Sequence, residues 1–132
     1  MITLTPENTA YLHALLTDHA KTCEGIRDIG LLESAVYAQN ASFFGVDRYP
    51  TPLEKASRLF YSLVSNHAFA DGNKRVGLLA YLVTLSLNGY ILTATDDELI
   101  TLTLSLASGK TSYEELFFFT KSHVHESLKE NC

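Results

Sequence analysis

Apolar positions recur at helical spacing through most of the chain. Within 52–66, Leu53, Ala56, Leu59, Phe60, Leu63 and Val64 fall on one face, which predicts an amphipathic helix with Glu54, Lys55 and Arg58 turned to water. From Val76 to Leu87 nearly every residue is apolar. With no polar stripe to face solvent, that segment reads as the central, buried helix. The whole pattern predicts six helices, at about 6–23, 29–40, 52–66, 73–88, 96–108 and 113–128, and almost no period-two alternation that would mark a strand.

The punctuation agrees with the periodicity. Thr51-Pro52-Leu53-Glu54, Thr95-Asp96-Asp97-Glu98 and Ser112-Tyr113-Glu114-Glu115 each have the spacing of a capping box, and Thr5-Pro6-Glu7 is a weaker start. Gly25, Gly89 and Gly109 follow periodic segments, where a left-handed residue closes a helix. The long connection from Ala41 to Pro50 carries Phe43 and Phe44. Burial of both rings in the core is their simplest destination.

A chain of 132 residues suits a single domain, 1–132, without internal repeats. Its 46% hydrophobic and 19% charged residues exclude disorder, and the longest apolar stretch is far short of the roughly 20 residues of a membrane span. A net charge of −5, with ten scattered Lys and Arg, argues against direct nucleic-acid binding. Cys23 and Cys132 have no metal-ligand spacing, and the first residues lack the basic and apolar regions of a signal peptide, so the cytoplasm is the expected compartment.

Chemistry concentrates in His67-Ala68-Phe69-Ala70-Asp71-Gly72-Asn73-Lys74-Arg75, just before the apolar run. A helix starting near Asn73 directs its free N–H groups and positive dipole end at this loop, which favours phosphate. Lys74 and Arg75 add charge where the dipole alone disfavours cations by about 0.3–1 kcal/mol, a conflict that a bound polyphosphate reverses. His67 is the candidate general base, against its bland role at a helix end. Asp71 is a candidate metal ligand, against turn or capping chemistry. Gly72 lets backbone approach phosphate, and Asn73 either caps the helix or donates its amide to a phosphate oxygen. Phe69 reads as a core anchor. His13 and His19 are isolated, while His123 and His125 stand two apart on the last helix and point to different sides, so no shared metal is expected. Arg27, Asp28 and Glu33 suit capping and ion-pair roles that support the loop.

The nine-residue segment resembles the motif of the Fic/Doc superfamily, His-x-Phe-x-(Asp/Glu)-Gly-Asn-(Gly/Lys)-Arg, and Lys74 is similar to its Doc (death-on-curing) branch. Further likeness runs through Gly25–Ala35, Tyr49-Pro50-Thr51 and Leu87-Asn88-Gly89-Tyr90; Ala68 departs from the Pro common in the wider family. The resemblance implies an all-α, compact six-helix domain around a central buried helix. It also implies a toxin that transfers the γ-phosphoryl group of ATP, with Mg2+, to a hydroxyl of a translation protein, elongation factor Tu being the best-known target. His67 and Asp71 would then be catalytic, Asp71 would hold the metal, and Gly72, Asn73, Lys74 and Arg75 would bind the nucleotide. A separate antitoxin, docking a C-terminal helix in a groove, is the implied restraint; no (Ser/Thr)-x-x-x-Glu-(Gly/Asn) self-inhibitory motif is found between Gly109 and Cys132. The 41–50 connection would be a flap that positions the target. The rival readings are nucleotidyl (AMP) transfer, usual where Gly replaces Lys74, and a non-catalytic nucleotide-binding module.

Overall fold

The computed structural model describes residues 1–16 and 25–127. The expected far end of the first helix and Leu128 at the expected end of the last, together with His19, Cys23 and Cys132, lie outside the described residues. Six α-helices are present among those described: α1 Pro6–Leu16, α2 Ile29–Tyr37, α3 Pro52–Asn66, α4 Asn73–Leu87, α5 Asp96–Ala107 and α6 Tyr113–His123. The all-α class is therefore the observed one.

Local chemistry explains where these helices begin. At Thr51, Thr95 and Ser112 the hydroxyl accepts the N–H three residues on and the Glu reaches back to the cap N–H, so all three capping boxes are complete. Thr5 does the same with Asn8 in place of an acid, its Oγ1 accepting at 3.0 Å and its N–H donating to Asn8 Oδ1 at 3.1 Å. Asp28 caps α2 through Leu31 N–H. Gly89 and Gly109 adopt the expected left-handed conformation, with φ of +87° and +80°; the helix end expected before Gly25 lies outside the described residues.

The core is organised around α3 rather than α4. α3 packs against α2, α4, α5 and α6, and buries Ala56, Leu59, Phe60, Leu63 and Val64. α4 instead keeps one half-exposed side, through Leu78, Leu79, Leu82 and Val83, and its last residues Ser86 and Leu87 reach solvent. Its apolar run exceeds what the neighbouring helices cover. The α3–α4 approach is close at Gly77, where a Cβ would lie 2.8 Å from Val64 Cγ2. A buried hydroxyl cluster also joins three helices: Thr120 Oγ1 in α6 is 2.7 Å from Tyr81 Oη in α4 and 3.0 Å from Ser57 Oγ in α3.

Three further expectations are corrected. Lys55 is buried, because its Nζ donates to Gln39 O at 2.9 Å and to both Asp47 carboxylate oxygens at 3.1 Å. Strands exist: β1 Ser42–Phe43 pairs antiparallel with β2 Val46–Asp47, and β3 Tyr90–Leu92 pairs with β4 Val124–Glu126. The last helix accordingly stops at His123. His125 belongs to β4, while the His123 ring stacks on Phe119 at 3.9 Å. Phe43 and Phe44 are not in the core: they are 71% and 92% exposed at the tip of the β1–β2 hairpin, their rings edge to face at 4.6 Å. A tight turn between two-residue strands, with Phe44 and Gly45 both at positive φ, leaves the tip no surface to fold against.

Candidate active site

α3 ends and α4 begins at opposite sides of a short loop, 67–72, and the fold closes that loop into a ring of contacts. His67 is the C-cap of α3, in the left-handed region at φ 52° and ψ 46°, a conformation that costs a residue with a Cβ roughly 1–2 kcal/mol. Its carbonyl accepts from Arg27 Nη2 at 2.6 Å and Nε at 3.2 Å. Backbone bonds from Arg27 N and Asp28 N to Ala68 O, from Ala70 N to Gly25 O, and the Ile26–Phe69 bridge make 25–28 a template strand for the loop. Arg27 thus supports the loop through a carbonyl, not through an ion pair. A strained backbone held by several independent partners is common at functional sites.

Phe69 is the anchor, 1% exposed, with its ring stacked on His13 at 3.9 Å. Asn73 locks to it by two bonds: Oδ1 accepts Phe69 N–H and Nδ2 donates to Phe69 O, each at 3.0 Å. Asn73 is the first residue of α4, so Gly72, at φ 82°, takes the N-cap position. Gly72 has no side chain with which to cap. The other five helices all receive a side-chain cap; the first N–H groups of α4 receive none. Asp71 is exposed, with Oδ1 accepting Gly72 N–H at 2.8 Å.

These residues line one cavity of about 250 Å³, walled by His67, Asp71, Gly72, Asn73, Lys74 and Arg75, with Val64, Ala70 and Ala107 completing it. All six residues singled out in the sequence therefore meet in one place. His67, Asp71, Lys74 and Arg75 are exposed there, while Phe69 and Ala68 behind them are buried. The cavity has an acceptor-rich side at Asp71 and a donor-rich side at Lys74, Arg75 and the α4 N-terminus, which suits a polyanion carrying a divalent cation. Among the described residues no three His, Cys, Asp or Glu side chains converge on a metal position. A single carboxylate beside an uncapped helix start fits Mg2+, which commonly keeps its waters and is held by one or two carboxylates plus substrate phosphates.

A family model for Fic/DOC proteins matches residues 3–85, more than half of the chain. The chain belongs to the Fic/DOC family. It is also 46% identical over 72 residues to a protein named Toxin Doc from Mycolicibacterium smegmatis (strain ATCC 700084 / mc(2)155), a match covering 54% of this chain and 55% of that one. The chain thus spans about half the length of the relative it matches. Within the Fic/DOC frame, sequence reasoning missed His13, whose Nε2 lies 2.7 Å from Asp71 O. The available signal was its place on the buried face of α1 with Pro6 and Thr9. No helix among the described residues is long and apolar enough to cross a membrane.

Proposed function

We propose that this chain is a Doc-type toxin that transfers the γ-phosphoryl group of ATP to a hydroxyl of a translation protein, with elongation factor Tu the first target to test. The carrying observation is the single cavity that gathers His67, Asp71 and the uncapped start of α4 with Lys74 and Arg75. His67 takes the proton of the target hydroxyl as its oxygen bonds to the γ-phosphorus; the bond from that phosphorus to the β–γ bridging oxygen breaks, and ADP leaves. The α4 N–H groups, Lys74, Arg75 and the amide hydrogen of Asn73 not held by Phe69 bind phosphate oxygens and offset the charge that moves between them. Asp71 is the residue that would hold Mg2+, which supplies neutralisation of the phosphate charge when bound. Lys74 stands where nucleotidyl-transferring relatives have Gly, and its bulk and charge favour presenting the γ- rather than the α-phosphorus to His67.

A separate antitoxin restrains the activity on this reading, laying a helix into an apolar groove. The exposed Phe43 and Phe44 on the hairpin are candidate contacts for it or for the target. His67→Ala tests the enzymatic core of the proposal. The imidazole is exposed and makes no hydrogen bond with the described residues, so circular dichroism and melting temperature should stay near wild type while transfer and growth inhibition vanish. A folded variant that remains toxic at equal expression would remove His67 as the base.

A further inference from the structure

We propose that His13, far from the motif in sequence, is a positioning residue for the transfer reaction; this rests on the reading of the cavity as a phosphoryl-transfer site. The ring is 4% exposed and lies nearly parallel to Phe69, 3.9 Å between centroids and 9° between planes. Its Nε2 is 2.7 Å from Asp71 O, and because a carbonyl can only accept, Nε2 carries the proton. The same ring edge faces Gly72, where a Cβ would come within 3.3 Å of Nε2. One imidazole therefore holds the loop at Phe69, Asp71 and Gly72.

The consequence follows from the planarity of the peptide unit. Asp71 C=O and Gly72 N–H belong to one peptide plane and point in opposite directions. His13 fixes the carbonyl side; on the other side the N–H donates to Asp71 Oδ1 at 2.8 Å. Holding the plane thus sets the direction of the carboxylate assigned to Mg2+ and of the backbone that opens α4. An apolar residue of similar shape would keep the stack on Phe69 and release the plane. A group that orients a metal-binding side chain is commonly worth 10–100-fold in metal affinity or activity.

The test compares His13→Phe, which keeps a ring and loses the donor, with His13→Gln, which keeps a donor. Both are assayed for γ-label transfer across ATP and Mg2+ concentrations. For folded His13→Phe the expected result is a fall in kcat on the order of 10–100-fold, with more Mg2+ needed for half-maximal rate and little change in KM for the protein target. His13→Gln should recover most of the loss. Wild-type kcat and Mg2+ dependence in folded His13→Phe would overturn the proposal. Should His13→Phe not fold, nitrogen-15 NMR of the wild-type ring decides without a variant: Nε2 protonated is required, and an unprotonated Nε2 refutes the bond to Asp71. Because that readout needs no activity, a wild-type protein that transfers no label would sink the transferase reading alone.

Discussion

Lys55 carries its ammonium to a place where Gln39 O and the Asp47 carboxylate accept its hydrogen bonds, at 2.9 and 3.1 Å. The two ends of this ion pair are unequal, with side-chain exposures of 7% for Lys55 and 45% for Asp47. Removing Asp47 leaves a buried cation with one acceptor and also takes the partner of Tyr49 N–H, whereas removing Lys55 returns a half-exposed carboxylate to water. Asp47→Ala should therefore cost more than Lys55→Met, roughly 2–3 against about 1 kcal/mol in urea unfolding. Equal losses, or the reverse order, would show that desolvation of the ammonium is not the dominant effect. The same residue shows where pattern reading stops: the helical wheel puts Lys55 in water, and its burial is made tolerable by Gln39 O and a carboxylate from β2, neither of them in α3.

Among elements, the pairing of α3 with α4 matters most, because the candidate site is built where one ends and the other starts. Gly77 permits it. In an exposed helix Gly→Ala gains up to about 1 kcal/mol, but here the added Cβ meets Val64 Cγ2 at 2.8 Å and Phe60 Cδ1 at 3.3 Å. Overpacking of this kind costs about 1–3 kcal/mol and should win, so Gly77→Ala is expected to lower the melting temperature and, by shifting the start of α4, to weaken the phosphate binding proposed for it. A stabilised variant would mean that the helices separate without penalty. Helix starts were legible in the sequence because a capping box is complete within four residues. The nine-residue motif was legible for the same reason, being contiguous. What the sequence concealed depends on distant partners: β3 with β4, α3 rather than α4 at the centre, and His13 against Asp71. No local spacing encodes such contacts.

For the molecule as a whole, alkaline pH reports on packing. Burial pushes the Tyr81 phenol above the ordinary tyrosine range despite its bond with Thr120, and Tyr113 is raised by burial and then by Glu54 and Tyr49. The folded state holds these protons after the unfolded chain, ionising near 10.0, has released them. Their contribution to stability is complete below that pH and is lost as pH rises through and beyond it. In a spectrophotometric titration two of the seven tyrosines should resist ionisation until the helical signal is lost; one reversible class with intact helicity would contradict this packing. The central proposal concerns chemistry: that the cavity at the α3–α4 junction would present the γ-phosphorus of ATP to a hydroxyl activated by His67, with Lys74 setting the orientation. Purified protein incubated with elongation factor Tu, or with a translation extract, and ATP labelled separately at the α- and γ-phosphorus tests it most directly. The account predicts γ label on the target, none from α-labelled ATP, and a mass increase of one phosphoryl group; α label with a mass increase matching adenylylation would contradict it and make nucleotidyl transfer the reaction of this site.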